Sequence, residues 1–223
     1  MTRNHLIIDF DSTLVEVEGL DELAKIALAR RPDGVEIAAE IARITDLGME
    51  GKISIDASLK RRLRLLDAGR SDVDAVVALL KRRISASFRA NAEFFARNRE
   101  RIHIISNGFT DYIVPVAAAL SIDSAHVFAN TFIYDRSGRI VGYDAENLLA
   151  QAGGKSKQLL ALGLVGDVYV LGDGYTDFQM TETGRVTKFI AYTGNVNRPM
   201  VTQKADHVVA SFDELLSLGY FDA

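Results

Sequence analysis

The stretch His5-Leu6-Ile7-Ile8-Asp9-Phe10-Asp11-Ser12-Thr13-Leu14-Val15 decides how the chain is read, because an apolar run ends abruptly in two carboxylates. A buried strand accommodates aspartate only where its C-terminal end opens into a site, and in open α/β sheets that end faces the ligand crevice. Read as the first strand, the stretch points residues i and i+2 the same way, which brings Asp9 and Asp11 together. Two carboxylates held that close repel, and a divalent cation is the usual remedy.

Downstream of Val15 the pattern turns helical. Leu20, Leu23, Ala24 and Ala27 share a face that breaks at Arg31-Pro32-Asp33-Gly34. A second helix is expected over 35–47. A third follows from a Ser54 cap, with Ile55, Leu59, Leu63 and Leu66 at helical spacing, and Ser71-x-x-Asp74 opens a fourth. Residues 16–87 therefore read as helices without a strand, leaving the chain at the mouth of the proposed site. The expected division is a helical cap over 16–87 on a core formed by 1–15 and 88–223.

The rest alternates. Runs at 101–105, 127–130, 168–171, 189–192 and 206–209 have strand character, 131–146 predicts a β-hairpin around Asp135-Arg136-Ser137-Gly138, and Ser211-x-x-Glu214 is a capping box. Pro115 either kinks the helix it falls in or opens it. Strands alternating with helices predict an α/β fold with a doubly wound, largely parallel sheet.

Composition narrows the function. With 48% hydrophobic residues among 223, disorder is not expected, and a net charge of −4 without single-sign blocks gives no electrostatic case for nucleic acid. There is no cysteine, and the four histidines (His5, His103, His126 and His207) lack ligand spacing, so thiolate and zinc sites are not expected. Neither a signal peptide nor a membrane-spanning run is present, which makes a cytoplasmic location the default expectation.

The Asp9-x-Asp11-Ser12-Thr13-Leu14 motif resembles the opening motif of the haloacid dehalogenase superfamily of phosphatases, its phosphoserine phosphatase branch in particular. Three further matches follow in order: Ser106 after an apolar run, Lys155 on a glycine-preceded helix start, and Gly172-Asp173-Gly174-x-x-Asp177. The resemblance implies that Asp9 is the nucleophile forming an aspartyl phosphate and that Asp11 is the general acid and base. It implies that Ser106 cradles phosphate and that Lys155 neutralises the transferring group. It further implies a Mg2+ site formed by Asp9, Asp173 and the Asp11 carbonyl oxygen, with Asp177 and Thr176 supporting it.

The implied substrate is a small phosphomonoester. Glu18 matches the family glutamate that receives the amino group of serine, and Met49 opens a cap segment similar to the one that closes over substrate. Three positions depart from the family pattern. Lys60 falls where an arginine grips the substrate carboxylate, Ser106-Asn107-Gly108 replaces Ser-Gly-Gly, and Thr176 replaces an asparagine. Arg61 or Arg62 is a candidate to take over from Lys60, although each successive helix residue turns about 100° away. The leading reading is a phosphatase for phosphoserine or a similar amine-bearing phosphate. The alternatives are a phosphatase or phosphotransferase for another metabolite, or a signalling receiver phosphorylated on Asp9.

Overall fold

The computed structural model describes residues 4–221. Its centre is a parallel sheet of β1 (His5–Ile8), β2 (Ile102–Phe109), β3 (Val127–Asn130), β6 (Val168–Gly172), β7 (Lys188–Tyr192) and β8 (His207–Val209), in the order β3-β2-β1-β6-β7-β8. The antiparallel hairpin of β4 (Phe132–Tyr134) and β5 (Ile140–Tyr143) stands apart from it. Strand β1 lies between β2 and β6, where successive crossovers change direction, so the crevice for a ligand opens at its C-terminal end. The central strands read as continuous apolar runs because both faces are covered. Leu6 and Ile8 join one buried cluster while Ile7, Val168 and Val170 join another on the opposite face.

Strand β1 is shorter than the sequence stretch implied. It ends at Ile8, and residues 10–14 form a wide turn closed by the Val15 amide donating to the Phe10 carbonyl at 3.0 Å. Ser12 adopts φ of 55°, a left-handed conformation that is uncommon for serine. Asp9 and Asp11 keep extended backbone angles (φ −71°, ψ 155° and φ −68°, ψ 138°), but both lie beyond the strand, Asp11 within the turn. The physical cause is local: the Asp9 carboxylate accepts from the Phe10 amide at 2.7 Å, taking a donor that a strand ladder would have used.

Of the helices between β1 and β2, the first four fill the insertion: α1 (Gly19–Leu28), α2 (Gly34–Met49), α3 (Ile55–Leu65) and α4 (Arg70–Arg82). Helix α4 starts before the expected Ser71-x-x-Asp74 box, because the Asp72 carboxylate accepts from the Gly69 amide at 2.8 Å and caps the preceding turn. The chain leaves and returns through a two-stranded neck, where Val15 bridges Ile84 antiparallel. Asn195 pins this neck, its amide nitrogen lying 2.9–3.2 Å from the Ser12, Thr13 and Val15 carbonyls and the Ser85 hydroxyl. The hairpin supports the far end of the insertion. Arg70 donates its amide to the Gly138 carbonyl, and Ile140 donates to that of Ala68.

The remaining helices are α5 (Ala86–Ala90), α6 (Ala92–Asn98), α7 (Thr110–Ala117), α8 (Gly154–Ala161), α9 (Tyr175–Phe178), α10 (Pro199–Thr202) and α11 (Phe212–Ser217). Pro115 sits within α7 rather than opening it. Ser211 caps α11, its hydroxyl accepting from the Glu214 amide. Among the described residues no helix is long and apolar enough to cross a membrane.

Candidate active site

At the C-terminal edge of β1 and β6 the structure gathers Asp9, Asp173 and Asp177, with one oxygen of each within 4.8 Å of the others. All three are buried, as is Lys155 at 2% exposure. The Lys155 ammonium lies 2.8 Å from Asp9 Oδ1 and 2.7 Å from Asp177 Oδ1. Burial opposes its charge, but Asp177 and Asp9 outweigh burial and hold its pKa above the ordinary lysine value. Helix α8 can present Lys155 this deeply because Gly153, at φ of 67°, turns the chain tightly into it.

Asp177 is committed on both sides. One oxygen takes Lys155 and the other accepts from the Gly174 amide at 3.1 Å. Its support therefore reaches Asp173 through the backbone of the Gly172-Asp173-Gly174 turn. Asp173 accepts from Thr13 Oγ1 at 2.9 Å and from Arg198 Nε at 3.1 Å. Burial and then the Asp9 charge push its pKa up to about 6 despite those partners.

Asp9 Oδ2 is buried without a hydrogen bond. An orphan carboxylate oxygen beside a second buried carboxylate is a donor set that suits a hard divalent cation. Asp11 shares this crowding. Burial and then Asp9 raise its pKa to about 7, although the Gly19 amide donates to its Oδ1 at 2.7 Å.

Ser106 is fully buried, and its hydroxyl oxygen accepts from the Gly108 amide at 3.0 Å, which leaves its proton free to be donated. Gly108 has no room for a side chain, since a Cβ there would lie 2.9 Å from Asp11 Oδ2. The two other departures in sequence meet each other: Asn107 Nδ2 donates to Thr176 Oγ1 at 3.4 Å. Thr176 thus faces Asn107 rather than the carboxylates.

Asp9, Asp11, Ser106 and Lys155 line one narrow cavity together with Glu18, Met49, Asn107 and Gly108. The free space is about 20 Å3. Glu18 accepts from Ser12 Oγ at 2.7 Å, and burial followed by the charges of Asp11 and Asp173 holds its pKa well above the ordinary glutamate value.

Lys60 is not in this cavity. It points to solvent, 3.8 Å from Asp56 one helical turn away, whereas Arg62 lines the cavity at 6% exposure. Two residues along α3 amount to about 200° of rotation, so the two side chains leave opposite faces of the helix. The sequence reading also assigned no role to Thr45, Tyr112 or Arg198. Thr45 and Tyr112 line the cavity, and Arg198 holds Asp173. None of them lies in a motif, and their signal is purely tertiary.

A model of the haloacid dehalogenase-like hydrolase family matches residues 6–182. Human phosphoserine phosphatase is 31% identical over 211 residues, covering 93% of this chain and 89% of that protein. The chloroplastic phosphoserine phosphatase of Arabidopsis thaliana is 30% identical over 212 residues, covering 94% of this chain and 69% of that protein. Among solved structures, a phosphoserine phosphohydrolase-like protein from Francisella tularensis superposes with a TM-score of 0.87 at 30% identity, over 97% of this chain and 99% of that one.

Fold and site together define a phosphoric monoester hydrolase, which removes the receiver reading. The chain belongs to the haloacid dehalogenase-like hydrolase family, in which it is phosphoserine phosphatase-like.

Proposed function

We propose that the enzyme hydrolyses phosphoserine, or a close analogue carrying both an ammonium and a carboxylate, through an aspartyl phosphate on Asp9. The observation that carries this reading is a single narrow cavity in which Asp9, Asp11, Ser106 and Lys155 face Glu18 and Arg62. The first four suit a phosphoryl group. Glu18 suits an ammonium, which would relieve the excess negative charge around it, and Arg62 suits a carboxylate.

In the first step the Asp9 carboxylate attacks phosphorus and the bond to the ester oxygen breaks. Asp11, whose pKa is pushed up to about 7 by burial and then by Asp9, gives its proton to the departing alkoxide. Asp11, now ionised, takes a proton from the water that attacks the aspartyl phosphate, which returns Asp9 and releases phosphate. Lys155 and the Ser106 hydroxyl offset charge on the phosphoryl oxygens throughout. Asp9, Asp173 and the Asp11 carbonyl would hold Mg2+, which when bound supplies further neutralisation of phosphoryl charge.

The cap division at 16–87 follows from the same reading. A space of about 20 Å3 holds about one water molecule, so substrate entry requires α1, α2 and α3 to move away from the sheet. A neighbouring cavity of about 280 Å3, bounded by Ile53, Gly153, Tyr175 and Gln179, shares Asn107 and Lys155 with the narrow one and serves as the approach.

The test is Mg2+-dependent phosphate release from phosphoserine, phosphothreonine, phosphoethanolamine and a sugar phosphate, with Asp9→Asn as the inactive control. Preference for phosphoserine is expected. Equal or better turnover of the sugar phosphate would sink the substrate assignment, and transfer to an added alcohol in place of phosphate release would mark a phosphotransferase.

A further inference from the structure

Among the described residues, five buried side-chain atoms make no hydrogen bond: Asp9 Oδ2, Arg62 Nε, His103 Nδ1, Tyr112 Oη and Asn130 Oδ1. Asp9, Arg62 and Tyr112 line the same narrow cavity. The Asp9 oxygen is an acceptor with a place in phosphoryl chemistry. The other two are donors, buried without an acceptor in a site built to take a substrate. A polar group left unpaired in the interior is destabilising, so such a pair persists where a ligand completes it.

Tyr112 is fixed in place. It is fully buried, with ring centroids 6.2 Å from those of Phe10 and of Phe109. Glycines flank the ring and its hydroxyl: a Cβ on Gly19 would lie 2.7 Å from Tyr112 Cε2, and one on Gly108 would lie 2.7 Å from Tyr112 Oη. The phenol is thereby brought beside Asp11 without being bonded to it. Burial, then the Asp11 charge, keeps it protonated, so it remains a donor.

We infer that Tyr112 is a specificity-determining residue whose hydroxyl, in the cavity that Arg62 also lines, donates to a carboxylate carried by the leaving alcohol. This rests on the reading that Arg62 receives that carboxylate, and it adds a neutral donor to the charged one. A guanidinium alone would grip any anion of suitable size. The second donor, on a ring that cannot turn, selects an acceptor with two oxygens in a defined plane.

The experiment is steady-state kinetics of Tyr112→Phe with Mg2+, using phosphoserine and, as the carboxylate-free comparison, phosphoethanolamine. The substitution removes one oxygen and keeps the ring. For phosphoserine, kcat/KM is expected to fall by roughly 10- to 100-fold, mostly through KM, the loss typical of a hydrogen bond to a charged group. Phosphoethanolamine turnover is expected to change by less than about twofold, and the thermal midpoint not to fall, since an unpaired buried hydroxyl has been removed. Equal losses on both substrates would overturn the inference by showing that Tyr112 acts through Asp11. Unchanged phosphoserine kinetics would overturn it as well. If the unmodified enzyme does not prefer phosphoserine to phosphoethanolamine, the proposed function fails and takes the inference with it. If that preference exists and collapses in Arg62→Lys but not in Tyr112→Phe, only the inference fails.

Discussion

Arg62 donates from Nη1 to Thr45 Oγ1 at 3.2 Å, and Thr45 in turn donates to Asp21 Oδ1 at 2.7 Å, a relay that crosses from α3 through α2 to α1. The relay fixes the guanidinium while leaving its Nε unbonded in the cavity. Arg62→Lys keeps a positive charge but loses the planar fork. Its KM for phosphoserine is expected to rise about tenfold or more. Lys60→Ala, on the solvent face of the same helix, is expected to leave the kinetics unchanged. A larger effect from Lys60 than from Arg62 would contradict the placement of these two side chains.

That pair also shows where the sequence was legible. The sheet, the four inserted helices and the Asp9, Ser106, Lys155 and Asp173 positions were readable because each lies at a strand end or helix start marked by a change in local pattern. Arg62 was ambiguous because three consecutive basic residues, Lys60-Arg61-Arg62, carry the same chemistry and only the rotation of α3 chooses among them. Arg198 gave no signal at all. It reaches Asp173 from the loop before α10, and that proximity exists only once β7 and β8 have extended the sheet. The wide turn after Ile8 was hidden for a different reason: it depends on the Asp9 carboxylate taking the Phe10 amide and on a left-handed Ser12, a conformation serine rarely adopts.

Cation binding is expected to show in stability without any turnover. Burial and the Asp9 charge raise the cost of ionising Asp173, and a divalent cation bound only by the folded chain relieves it. At 100 times its dissociation constant, Mg2+ adds about 2.7 kcal/mol, which for a chain of this size moves the thermal midpoint by roughly 5–10 °C. Asp173→Asn should abolish most of the shift. A Mg2+-independent midpoint in the unmodified enzyme would count against the site.

Asn195 offers a test of the neck. Its amide group serves the Ser12, Thr13 and Val15 carbonyls and the Ser85 hydroxyl, on both chain segments that lead into the insertion. Asn195→Ala leaves these acceptors short of a donor and is expected to lower stability by about 1–3 kcal/mol in urea unfolding. It is also expected to slow turnover, because the neck positions the Asp9 to Val15 turn. Wild-type stability in this variant would mean that other donors serve the neck.

The opposite end of the sheet predicts an acid sensitivity that catalysis does not explain. His103 in β2 is 7% exposed, stacks on His126 with centroids 4.8 Å apart, and has Nε2 3.4 Å from His5 Nδ1. Burial, then the neighbouring His126 and His5, depress its pKa to about 4 from an ordinary value of 6.5. The folded chain therefore keeps this imidazole neutral at pH values where the unfolded chain protonates it. Stability from this source is fully present above pH 6.5 and is lost as the pH falls towards 4. The full loss is about 3 kcal/mol, from roughly 2.5 pH units at 1.36 kcal/mol each. Carboxylates titrate in the same range, so the informative quantity is the difference from His103→Phe, which retains a stacking ring and removes the proton site. Urea unfolding of both proteins between pH 4 and 7 should show the variant losing less stability on acidification. Parallel pH profiles would place the sensitivity elsewhere in the molecule.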